Sequence, residues 1–261
     1  MFKFTKVMAT LALAGITASA FAATDYSKNN FIGNYDANQA VANYILGQSY
    51  RLPLPGIAAY DQVTYALFDL ANDDDFHSVE DKAEHFEEAF VTFYVISKVY
   101  ADKLTTVDLP FNPAQVTFKD YLQSLVAACN AGQLKVNNSA VTQDVGSSLT
   151  SKENRRVNSL ARDYDNLCTL AKQYIRLYDV PEFQTYLKLF NEYSEYVYQE
   201  FKRQNAAYNL PLTHKSIDSD HLQEPAQAKF KYDNPRGYRL MKNFDDYALE
   251  NRAIYRALNS Y

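Results

Sequence analysis

The chain has 261 residues, 47% of them apolar and 22% charged, with a formal charge of −5. Removing residues 1–22 as an export leader leaves 239 (261 less 22), enough for one large domain or two small ones. Lys3 and Lys6 leave with the leader, so the product carries 24 basic residues (26 less 2) against 31 acidic ones, without the basic block that nucleic-acid affinity requires. Only seven glycines occur, none spaced for a phosphate loop or a G-x-S-x-G elbow.

The leader has three parts. Lys3 and Lys6 form a basic start, Val7 to Ala18 is apolar, and Ala20-Phe21-Ala22 offers small residues at a cleavage site. The apolar stretch is too short for the roughly 20 residues of a spanning helix, and no later segment is long and apolar enough. The spacing therefore predicts a periplasmic or extracellular product with no membrane span, cleaved after Ala22.

From there the chain reads as helix after helix, near 37–50, 57–72, 79–104, 113–131, 151–178, 180–207 and 235–259. Box-like starts mark several of them: Asp36-x-x-Gln39, Ser78-x-x-Asp81, Asn112-x-x-Gln115, Thr150-x-x-Glu153 and Asp179-x-x-Glu182. Strand alternation is nearly absent. The fold class expected is all-α, an irregular bundle of about seven helices with a long antiparallel hairpin over 151–207. Residues 23–208 form the helical core; 209–261 form an extended arm and a C-terminal helix packed on it. Residues 133–150, rich in Asn, Ser, Thr and Val, read as a long exposed loop.

Within helix 79–104, Val79, Ala83, Phe86, Phe90, Phe93, Tyr100 and Leu104 make one stripe. Asp81, Glu84, His85 and Glu88 oppose it in the first half, and Val91, Thr92, Val95, Ile96 and Val99 in the second. A helix apolar all round must be enclosed, so the second half is expected at the bundle centre and the first half in solvent. Cys129 and Cys168 lie on the apolar stripes of two different helices. In an oxidising compartment they are expected to form one disulfide, worth roughly 4 kcal/mol by loop entropy; two separate buried thiols are the alternative.

Two clusters hold all four histidines. His77, Asp81, His85 and Glu88 follow helical spacing, and a divalent metal accepts such imidazole and carboxylate ligands; a solvated acidic face near a helix start is the competing explanation. His214, Asp218, Asp220 and His221 lie on the arm and complete a strong metal site only if the arm folds back over the first cluster.

Tyrosine is the outlier, at 22 residues with no Trp. It serves both half-wet helix seams and recognition surfaces. Tyr44, Tyr60, Tyr100 and Tyr164 fall on core stripes. Helix 180–207 carries Phe183, Leu187, Phe190, Val197 and Phe201, with Leu189, Tyr193 and Tyr196 widening the face beyond what one neighbour covers. Leu189, Tyr193, Tyr196 and Tyr198 are the expected partner surface. The function expected is that of an exported helical protein binding a protein or small-molecule ligand, with no cofactor and no recognisable catalytic motif. The alternative is a metal-dependent hydrolase or metal-binding protein using the histidine and carboxylate clusters.

Overall fold

The computed structural model describes residues 31–49, 52–72, 77–102, 109, 111–205 and 219–260, without the side chains of 58, 70 and 219–223. The expected leader, residues 73–75 and His214 lie outside these residues. All regular structure described is helical: α1 (Ala37–Ile45), α2 (Asp61–Ala71), α3 (Val79–Asp102), α4 (Phe118–Asn130), α5 (Asn138–Val145), α6 (Ser151–Leu177), α7 (Phe183–Gln204), α8 (Ser219–Asp233), α9 (Pro235–Lys242), α10 (Phe244–Glu250) and α11 (Arg252–Asn259). The chain is thus all-α, with eleven helices among the described residues in place of about seven.

The added helices arise from local caps. Asn137 accepts from the amides of Ser139 and Ala140, and Gly146 closes α5 at φ 73°, so part of the expected loop is a helix. Within the expected arm, Ser219–Asp233 form α8, although Pro225 lies inside it. The expected helix 235–259 is three. Asn234 caps α9 beside Pro235, and Asn251 leaves helical geometry and accepts from the amides of Ala253 and Ile254. Of the expected capping boxes, Thr150–Glu153 is reciprocal, whereas Glu182 starts α7 without a side-chain cap. A reciprocal box at Thr117–Asp120 moves the start of α4 beyond Pro113, which opens a 3-10 turn instead.

α3 is the centre of the bundle and packs against α2, α4, α7, α10 and α11. Its second half is buried from Ala89 through Phe93 and again at Val95, Ile96, Val99 and Tyr100. Its first half is one-sided: Glu80 and Glu84 are exposed and Asp81, His85 and Glu88 half-buried, opposite a buried face. Val79, Lys82, Ala83 and Phe86 are buried: α10 and α11 pack on α3, with Lys82 donating to the Leu258 carbonyl of α11, and α4, α6 and α7 enclose Phe86. Phe86 meets Tyr174 of α6 at 5.1 Å and Phe183 of α7 at 5.2 Å between ring centroids. α3 therefore sits between the two members of the expected hairpin. α6 takes α2, α4 and α11 as its main neighbours, and α7 takes α3 and α8.

Contacts along α3 and α7 advance together: Phe86 with Phe183, Phe90 with Phe190, Tyr94 with Glu195, Asp102 with Tyr198. The two helices run in the same direction. Cys129 of α4 and Cys168 of α6 form a disulfide, with Cα atoms 5.7 Å apart.

Several tyrosines in the core keep partners for their hydroxyls, whereas those of Tyr178 and Tyr186 are buried without one among the described residues. Tyr35 and Tyr164 share a bond of 2.7 Å, Tyr121 meets Thr64 at 2.7 Å, and Tyr174 donates to the Lys82 carbonyl at 2.7 Å. A buried hydroxyl without a partner costs roughly 1–3 kcal/mol, so these cross-helix bonds fix which tyrosine faces which neighbour.

Candidate functional site

Among the described residues the expected metal ligands do not all come together. Asp81 is bonded to Ser78, which caps the start of α3 by accepting from the Asp81 amide at 3.0 Å. His77 lines a polar groove of about 610 Å³ with Ala71, Asn72, Ser159, Arg162, Asp163, Asp165 and Asn166. His85 and Glu88 meet, with His85 Nδ1 3.2 Å from Glu88 Oε2. Burial acts against the imidazolium, but the hydrogen bond and charge of Glu88 outweigh it, so the His85 pKa is raised. Asp220 and His221 belong to the first turn of α8, with side chains outside the described set, and Asp218 lies outside it altogether. Among the described residues no three His, Cys, Asp or Glu side chains converge as a metal site.

The expected partner surface divides. Leu189, Tyr193 and Tyr198 are buried, so they are not available as a surface. The wide face of α7 is covered by α3 on one side and α8 on the other. Phe230 of α8, 1% exposed, packs on Tyr193 at 6.2 Å and on Tyr196 at 5.6 Å. Gln227 donates to the Tyr193 hydroxyl at 3.1 Å. Tyr196 alone of the four reaches the edge of this seam.

That edge is a groove of about 520 Å³ between α7 and α8, lined by Asn191, Glu192, Glu195, Tyr196, Phe230, Asp233 and Asn234. Helical spacing explains its α7 wall: residues 191, 192, 195 and 196 are three or four apart and share one face. On α8, Phe230 turns inward while Asp233 is at the last turn, and the Asn234–Pro235 break ends the wall. The lining has two rings, two amides and three carboxylates, and no basic side chain.

Lysines stand beside the groove in a repeated arrangement. Tyr94 donates to Glu195 at 2.7 Å, while Lys98 approaches Glu195 at 3.6 Å and lies 5.3 Å from the Tyr94 ring centre. Tyr198 donates to Asp102, while Lys202 pairs with Asp102 at 3.1 Å and lies 5.2 Å over Tyr198. Tyr196 donates to Asp233 at 3.3 Å, while Lys229 stands 4.0 Å from Asp233 and 5.0 Å over Tyr196. The first two clasps tie α3 to α7 and the third ties α7 to α8. Burial works against the Glu195 charge, but bonds from Gln199 and Tyr94 and the nearby Lys98 hold its pKa below the ordinary value.

Sequence reasoning missed Phe230, Asp233 and Asn234, because Pro225 and mixed charge read as an arm. The available signal was Leu222, Ala226 and Phe230, spaced four apart on one helical face. Comparison with protein-family models, curated proteins and solved structures finds no match to this chain.

Proposed function

We propose that this chain is an exported helical binding protein that takes a small organic ligand in the α7–α8 groove. The observation that carries this reading is the groove itself. Tyr196 offers ring surface at the groove edge, over the buried Phe230, and three carboxylates and two amides surround it as polar anchors. Ligand sites combine apolar surface with a few placed polar groups in this way. Export is supported by the leader pattern at 1–22 and by the Cys129–Cys168 pair, which an oxidising compartment maintains. Among the described residues no helix is long and apolar enough to cross a membrane.

The test is an amide-resolved NMR titration of the disulfide-bonded protein with four fragments: an aryl-alkyl ammonium, an aryl carboxylate, a neutral aromatic alcohol and a neutral disaccharide. At least one is expected to shift amides of residues 191–196 and 230–234 selectively and saturably. If none of the four moves those amides, the groove is not a ligand site.

A further inference from the structure

We propose that the α7–α8 groove selects organic ammonium ions carrying an apolar body, and that Lys229 competes with the ligand for the ammonium position. The proposal rests on the binding role argued above and names the ligand class. Three carboxylates, Glu192, Glu195 and Asp233, line the groove, and the lysines that approach them, Lys188, Lys98 and Lys229, stand outside the lining in long pairs of 4.0, 3.6 and 4.0 Å. A small hard metal ion does not answer this arrangement, since no three ligands converge on one point among the described residues. The carboxylates are spread along the groove beside the Tyr196 ring. That suits a large, weakly hydrated cation, because a ring face attracts ammonium and also packs against the hydrocarbon attached to it.

The Lys229 side chain demonstrates the chemistry in place. Its ammonium stands 5.0 Å over the Tyr196 ring and 4.0 Å from Asp233 Oδ2. The Tyr196 hydroxyl donates to the same carboxylate, which orients ring and anion around a common cation position. Yet the lysine is 66% exposed and its ion pair is long, so little holds it there. A ligand ammonium with an apolar body gains the same ring and carboxylate and lays that body along the groove between α7 and α8.

Benzylammonium and its neutral counterpart benzyl alcohol separate charge from shape. Both are titrated into wild-type protein, Lys229→Met and Asp233→Asn, with amide shifts of residues 191–196 and 230–234 as the readout and circular dichroism as the folding control. Benzylammonium is expected to bind wild type about tenfold more tightly than benzyl alcohol, and to weaken by a similar factor in Asp233→Asn. Lys229→Met is expected to tighten it by about threefold, because the internal competitor is gone. Equal binding of the two compounds, or an unchanged affinity in Lys229→Met, overturns the ammonium assignment while leaving the groove as a ligand site. Absence of any groove shift with these compounds and with the four fragments above overturns both.

Discussion

Glu87 carries a proton to about pH 7, well above the ordinary carboxylate range. Burial is the main cause; Lys242 opposes it, and the carboxylates of Glu84 and Asp245 add to it. The folded state therefore holds this proton more tightly than the unfolded chain. Between about pH 4.5 and 7 the native protein binds more protons, so its stability falls as pH rises through that window, and the full penalty is present above it. Glu87→Gln removes the ionisation. Urea unfolding at pH 5 and pH 8 is expected to show the variant gaining about 2 kcal/mol over wild type at the higher pH, with little difference at the lower. A difference independent of pH would remove Glu87 as the titrating group. The sequence did not single out this residue. A glutamate on a charged stretch of α3 becomes enclosed only when α10 packs on α3 and brings Asp245, with Lys242 at the end of α9, within reach of its charge.

At the scale of elements, two kinds of signal were legible to different degrees. Caps were. Thr150 with Glu153, Ser78 with Asp81 and Asp36 before Ala37 start helices where the sequence places them, because a cap is satisfied by residues two or three positions away. Breaks in the C-terminal segment were not, since an asparagine in a helical pattern reads equally as a surface position. Asn251 decides the matter by accepting from Ala253 and Ile254 amides at 3.0 and 3.2 Å, starting α11 afresh. Asn251→Ala is expected to cost about 1 kcal/mol, measured as a lower urea midpoint with unchanged slope. It also redirects α11, whose Leu258 carbonyl accepts from the buried Lys82 ammonium at 3.2 Å. No loss of stability would mean the α10–α11 bend is held by packing alone. The Tyr94-x-x-x-Lys98 and Tyr198-x-x-x-Lys202 repeats were present in the sequence, but their carboxylate partners lie on a different helix in each case.

For the whole molecule, the disulfide and the α3 post share the task of holding a bundle whose helices come from distant parts of the chain. Cys129 and Cys168 join α4 to α6, 39 residues apart, on the side of the core away from α7 and α8. Reduction is expected to cost about 2–4 kcal/mol and to lower the thermal midpoint, measured by circular dichroism with and without reductant. An unchanged midpoint would mean that packing alone restrains the α4–α6 seam. The all-α class, the pairing of the two cysteines and the burial of the second half of α3 were each readable beforehand, because each follows from composition or from a stripe. The groove was not. Tyr196 was visible as an aromatic at the side of a broad face, but its neighbours Phe230 and Asp233 come from a segment that reads as an arm.

The sequence by itself determined helicity, several helix starts and which side of each long helix turns away from water, since capping and a period of 3.6 residues act within one segment. Only the tertiary structure decided that α10 and α11 return to pack on α3, that α7 runs alongside α3, and that α8 covers Tyr193 and leaves Tyr196 at an edge. A stripe fixes that a face must be covered. Which helix covers it, and where the cover stops short and leaves a groove, depends on bonds and ring contacts between residues far apart in the chain.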